Sequence, residues 1–207
     1  MNTASGLKIG VFGHGGERHI SKEAIAWTEA FGECVARMGG TLYTGGGGGV
    51  MLAARRGCAT HGGTVVSVNP EMDLDDDSES LYRGSVVLTG QGKIGRVHLL
   101  TQSVDIGFAI GGGAGTLMEV VACYLLAKPV VVVDGFQGED DPRILNILNR
   151  TAQEAGPLPV QTGYFDGKDV DRVCAVRVCP KTLSPQEVLE VGVAALDACR
   201  GKCHSVG

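Results

Sequence analysis

Short apolar runs and helix-spaced apolar stripes alternate along the chain. The run LKIGVF at 7–12 predicts a strand that ends in the glycine-rich turn Gly13-His14-Gly15-Gly16. Between 21 and 38, Ile25, Thr28, Phe31, Val35 and Met38 recur at helical spacing, with Ser21 placed as N-cap and Gly39-Gly40 as the stop. A short strand over 41–43 leads into five glycines at 45–49, then a helix from Val50 to about His61, ended by Gly62-Gly63. Residues 64–68 predict a buried strand stopped by Asn69-Pro70. Strands at 85–88, 106–110 and 129–133 alternate with helices at about 92–103 and 116–127. A helix at 142–155, a glycine- and proline-containing loop and a strand at 173–178 follow. Ser184, Pro185 and Glu187 form a capping box before a final helix, whose Val188, Leu189, Gly192, Ala195, Leu196 and Cys199 share one face.

Alternating strands and helices, with strands that read as β-rich apolar runs, predict an α/β fold: one Rossmann-like, doubly wound parallel sheet flanked by helices on both faces. No linker or internal repeat interrupts the pattern, so one nucleotide-binding domain is expected over 1–207. Such sheets bind ligands at the carboxyl ends of their strands. The glycine clusters fall there, after 12, 43 and 110.

Composition narrows the field. The 207 residues are 43% hydrophobic and 20% charged, a globular profile. The net charge of −5 argues against a nucleic-acid partner held by phosphate contacts. No apolar run reaches transmembrane length, and MNTASGLKIG carries no secretory signal, so a cytoplasmic setting is expected. The seven cysteines, at 34, 58, 123, 174, 179, 199 and 203, form no CxxC pair, which fits a reducing compartment. The tail Cys199, Cys203 and His204 lacks metal-site spacing, and no metal is expected. The acidic stretch 73–80 reads as a solvated loop and lacks the pattern of a calcium loop. Glycine is the outlier, 33 residues concentrated in a few loops. Side-chain-free backbone of that kind allows close approach to a ligand.

Three features carry candidate chemistry. Gly45, Gly46, Gly47, Gly48 and Gly49 join a strand to a helix, an arrangement that wraps a phosphate with backbone N–H groups. No Gly-Lys-Ser/Thr follows, so this is not a P-loop. The second feature is GGGAGTLME at 111–119. Thr116 is placed there to cap the helix or bind an oxyanion, and Glu119 lies one turn in, where the helix dipole would favour its ionised form. The third is Arg96, early in a helix that precedes a buried strand. His14, beside Gly13, reads either as a phosphate or ribose contact or as an exposed loop histidine. Tyr43 reads as core.

In combination these stretches resemble the LONELY GUY (LOG) and molybdenum-cofactor-carrier superfamily, over nearly the whole chain. The family's PGGxGTxxE motif is matched by Gly112, Gly113, Gly115, Thr116 and Glu119, with Gly111 in place of proline. Its Arg-Lys motif with an Asp nine residues on is matched by Arg96 and Asp105, with Val97 in place of lysine. TGGGGGVM resembles its GGGxxGLM loop through Gly49 and Met51. The two departures lean toward the carrier branch.

The resemblance implies a nucleoside 5′-monophosphate phosphoribohydrolase that needs no cofactor. Arg96 and Glu119 would be its catalytic pair. The phosphate or ligand contacts would come from Gly13, His14, the 45–49 glycines, Met51, Gly112, Gly113, Gly115 and Thr116. The alternative it implies is a non-catalytic carrier whose ligand is the molybdenum cofactor. It also implies a homodimer or higher homo-oligomer, with the helix after GGGAGT near the interface. The lysine-decarboxylase label sometimes given to this superfamily finds no support at Lys93, Lys128 or Lys168.

Overall fold

The computed structural model describes residues 6–16, 20–71, 82–136, 161–162, 171–172 and 176–203. Seven strands form one parallel sheet: β1 (Lys8–Gly13), β2 (Thr41–Thr44), β3 (Thr64–Asn69), β4 (Ser85–Leu88), β5 (Ile106–Ile110), β6 (Val130–Asp134) and β9 (Val176–Pro180). Their order across the sheet is β4-β3-β2-β1-β5-β6-β9. The helices are α1 (Lys22–Met38), α2 (Gly49–Thr60), α3 (Gly92–Ser103), α4 (Ala114–Leu125) and α5 (Pro185–Cys203).

The period of two along the strands sorts the helices onto two faces. Ile9, Val11, Leu42, Phe108, Val131 and Val133 pack with residues of α1, α2 and α5. Phe12, Val68, Ala109, Val130 and Val132 pack with Leu100 of α3 and with Val120 and Cys123 of α4. A strand covered on both faces must be apolar along its buried length, as β5 is throughout and β6 is up to its last residue, Asp134. Tyr43 lies against the second cluster, as core.

Local signals set the helix ends. The Ser21 hydroxyl accepts from Ala24 N, and Gly39 takes the left-handed conformation (φ 74°) that closes α1. Ser184 and Glu187 complete the capping box: Glu187 N donates to Ser184 Oγ and Ser184 N to Glu187 Oε2. Glycine brings α1 and α2 together. A Cβ at Gly32 would lie 2.1 Å from the Ala54 carbonyl oxygen, and one at Gly57 would lie 1.8 Å from that of Glu29. The same crossing carries the Arg56–Glu29 ion pair.

The structure corrects several boundaries. α4 begins at Ala114 and α2 at Gly49, so Gly49 and Gly115 lie within helices rather than in the turns before them, while Met51 and Thr116 are helical as expected. β9 includes Val176–Pro180 and so ends two residues past the strand expected at 173–178, whose first three residues lie outside the described ones. Part of the expected loop pairs antiparallel instead, as β7 (Gln161–Thr162) with β8 (Asp171–Arg172). The helix expected at 142–155, the acidic stretch 73–80, the Cys203 side chain and His204 lie outside the described residues.

Candidate functional site

The sheet reverses direction of growth at β1, with β2 on one side and β5 on the other. A doubly wound sheet opens a crevice at that point, beyond the carboxyl ends of its strands. The turns after β1, β2 and β5 meet there. A Cβ at Gly13 would lie 2.6 Å from the Ile110 carbonyl oxygen, and one at Gly49 would lie 2.3 Å from that of His14. Val50 N donates to the His14 carbonyl (3.0 Å), tying the first turn to the start of α2.

Two helices start at this edge, and neither start is capped by a side chain. Gly48 is the N-cap of α2 and Gly113 that of α4, and neither first turn contains an acidic residue. The first N–H groups of a helix lack intrahelical partners and carry the positive end of its dipole. Thr116 therefore does not cap α4: it is the helix's third residue, buried, and its hydroxyl faces Gly112, where a Cβ would lie 2.1 Å from Oγ1. Gly113 and Gly115 differ from the other glycines of the site, because a Cβ at either would meet nothing within 4 Å. Packing does not require glycine at those two positions.

Arg96 of α3 and Glu119 of α4 meet across the crevice. Arg96 Nη1 donates to the Gly45 carbonyl (3.1 Å), and Nη2 lies 3.6 Å from Glu119 Oε1. The Arg96 side chain is 15% exposed and that of Glu119 4%. Arg96 Nε is buried with no hydrogen-bond partner among the described residues. Burial is the larger influence on Glu119 and the Arg96 charge the smaller, so its pKa is pushed up to about 7. Against the expectation that the helix dipole would favour the ionised form, burial outweighs it and moves the pKa the other way.

Met51 is buried and supports the turns from beneath. A Cβ at Gly45 would lie 3.1 Å from its sulfur, and one at Gly47 would lie 2.9 Å from its methyl. Asp105 keeps its interval from Arg96 but stands at the start of β5, the far edge of the sheet. There it accepts from Lys8 N (2.8 Å) and lies 3.6 Å from Arg200. Val97 is buried. Gly111 has φ +57°, which proline cannot adopt, and a Cβ there would lie 2.5 Å from the Phe136 carbonyl oxygen. Proline therefore could not stand at position 111 on this backbone. Lys128 donates to the carbonyls of Thr101 (2.9 Å) and Val104 (2.6 Å), a cap on the end of α3.

Two residues escaped the sequence reading. Arg55 is fully buried and reaches the carbonyls of Gly46 and Gly47, while the adjacent Arg56 turns outward to Glu29. Asn69 ends β3 with its Oδ1 buried, partnerless among the described residues, and only 1.8 Å from where a Cβ on Gly46 would stand. The double arginine gives no hint of which one turns inward. Asn69 read only as a strand stop. A groove of about 410 Å3, lined by Lys22, Ile25, Gly49, Leu52 and Arg56 among others, lies along α1 and α2. Among the described residues no three His, Cys, Asp or Glu side chains gather as a metal site.

The family model for the SLOG cluster4 family matches residues 6–157. The chain belongs to the SLOG cluster4 family. An uncharacterized protein of Archaeoglobus fulgidus is 31% identical over 143 residues, 66% of this chain and 89% of that one. The crystal structure of TM1055 matches with a TM-score of 0.68 at 26% identity, covering 89% of this chain and 97% of that one. The molybdenum cofactor carrier protein of Chlamydomonas reinhardtii matches with a TM-score of 0.65 at 25% identity, covering 91% and 99%. The resemblance to the LOG and carrier superfamily, drawn on the glycine motifs, therefore holds for this SLOG cluster4 member, and so does the Rossmann-like fold.

Proposed function

We propose that the crevice binds a phosphate-bearing small molecule and that Arg96 and Glu119 cleave its N-glycosidic bond. The substrate would be a nucleoside 5′-monophosphate, and the products a free base and ribose 5-phosphate. The observation that carries this reading is the buried Arg96–Glu119 pair beside two uncapped helix starts. The phosphate sits on the N–H groups at the starts of α2 and α4, an arrangement suited to anions. Gly13, His14, Gly45 to Gly49, Gly112, Gly113, Gly115 and Thr116 shape that seat, and Met51 supports it. The ionised Glu119 carboxylate stabilises the cationic sugar as the base leaves and takes a proton from the attacking water. Arg96 holds Glu119 in place and binds ribose or phosphate. The chemistry needs no cofactor.

The test incubates purified protein with AMP, GMP, CMP and a cytokinin monophosphate, beside Glu119→Ala, and follows base and ribose 5-phosphate by chromatography. Release by the wild type that the variant loses supports the reading. Release that survives in the variant removes Glu119 from the chemistry. Because the base must be ionised, kcat/KM rises with pH through about 7.

A second reading is favoured by the likeness to the Chlamydomonas carrier protein and by the left-handed backbone at Gly111, which excludes the proline of the phosphoribohydrolase motif. Here the same seat holds the molybdenum cofactor by its phosphate, as cargo, without turnover. Absence of base release, together with a pterin that co-purifies under molybdenum-replete expression, selects it. Under either reading the partner is a small molecule rather than nucleic acid or membrane, and the setting is cytoplasmic, which suits the free thiols of Cys34, Cys58 and Cys179. A second copy of the chain packs on α4, where Met118, Val121 and Leu125 share one face and are 40%, 43% and 70% exposed.

A further inference from the structure

We propose that Arg55 is a positioning residue that turns the N–H groups of Gly47 and Gly48 toward the crevice and so builds the anion seat between β2 and α2. This inference rests on the phosphate reading above. Arg55 Nη1 donates to the Gly46 carbonyl (3.0 Å) and Nη2 to the Gly47 carbonyl (2.9 Å). Two nitrogens of one planar guanidinium thus hold two successive peptide units. In a trans peptide the C=O and the following N–H point in opposite directions. Drawing the Gly46 and Gly47 oxygens inward therefore sends the Gly47 and Gly48 N–H groups outward. Gly46 N is already used, donating to Thr44 Oγ1 (3.3 Å). Among the described residues, Gly47 N and Gly48 N have no protein acceptor.

The fork is itself held. Nη1 also donates to Ser67 Oγ (3.3 Å), and that hydroxyl donates to the Arg83 carbonyl (2.8 Å). Gly46 adopts φ +78° with Asn69 Oδ1 hard against it, so the turn has little room to relax another way. A lysine would reach with a single nitrogen and could not hold both carbonyls in one plane. Arg55 touches the turn and not the ligand. Its effect reaches the phosphate only through the two peptide groups.

The test compares the wild type with Arg55→Met and Arg55→Lys, using titration calorimetry with AMP, adenosine and inorganic phosphate. The wild type should prefer AMP to adenosine. In Arg55→Met that preference should fall by about tenfold or more, the loss of hydrogen bonds to a charged group, with adenosine affinity unchanged. Arg55→Lys should fall between the two. An unchanged preference in a folded variant overturns the inference, and if Arg55→Met does not fold, Arg55→Lys decides by the same criterion. A wild type without any phosphate preference refutes the phosphate reading instead. The amide resonances of Gly47 and Gly48 in the ligand-free protein then decide for Arg55: displacement in Arg55→Lys supports its control of the turn, and coincidence with the wild type overturns it.

Discussion

At the residue scale, Glu119 shows burial overruling local electrostatics. Its place in the first half of α4 suggests a carboxylate steadied by the helix dipole, yet desolvation lifts its pKa to about 7 despite Arg96. The sign of the linked stability follows. The folded pKa lies above the ordinary carboxylate value of 4.5, so between pH 4.5 and 7 the folded protein holds a proton that the unfolded chain releases. Stability contributed by this group is full below 4.5 and declines as pH rises through about 7. Glu119→Gln removes the titration while keeping an oxygen for Arg96. Urea denaturation at several pH values should therefore show a shallower decline over that window in the variant. An identical slope would mean that Glu119 is ionised throughout. Arg96 teaches a related lesson: alone in the sequence it reads as a surface arginine, and only Glu119 and the Gly45 carbonyl make it part of a site.

At the element scale, most boundaries were legible because capping and periodicity are local. Ser21, Gly39, Ser184 and Glu187 do in the structure what their chemistry predicts. The glycines are less uniform than their composition suggests. Gly32 and Gly57 serve helix packing, Gly111 a backbone path, and Gly113 and Gly115 open space. These roles predict different outcomes. Gly111→Pro demands a φ of opposite sign and should lower stability by at least ~3 kcal/mol in denaturation. Gly113→Ala meets no atom within 4 Å and should leave the melting curve nearly unchanged. Its methyl would project toward the crevice and weaken binding of a 5′-phosphate, measured as a loss of thermal stabilisation by AMP. Equal behaviour of the two variants would contradict this division.

At the scale of the whole molecule, the sheet order brings together turns that lie far apart in the chain. The turns that carry His14, Gly45 and Gly113 come to one edge because β1 stands between β2 and β5. The two outer faces then differ. Arg56 and Glu29 dress the α1–α2 side with an ion pair, while α4 leaves Met118, Val121 and Leu125 uncovered. Leu125→Glu should shift a self-associating protein toward monomer in sedimentation velocity, with the far-ultraviolet spectrum unchanged. A wild type that is already monomeric at every concentration would remove the second copy from the proposal. Among the described residues no helix is long and apolar enough to cross a membrane.

The sequence by itself determined the alternation of strands and helices, the two-sided burial of the sheet and the place of the glycine turns at its carboxyl edge. Each of these depends on periodicity, capping or φ preference within a few residues, and such signals survive without knowledge of the fold. It also marked Arg96 and Glu119, through the spacing of their motifs. Tertiary structure alone decided that those two side chains meet, because residues 23 positions apart on separate helices become neighbours only by packing. It decided that Arg55 turns inward and Arg56 outward, and that Asp105 faces the wrong edge for the crevice. It also raised the pKa of Glu119, since solvent exclusion is a property of everything packed around a group and of no short stretch of chain.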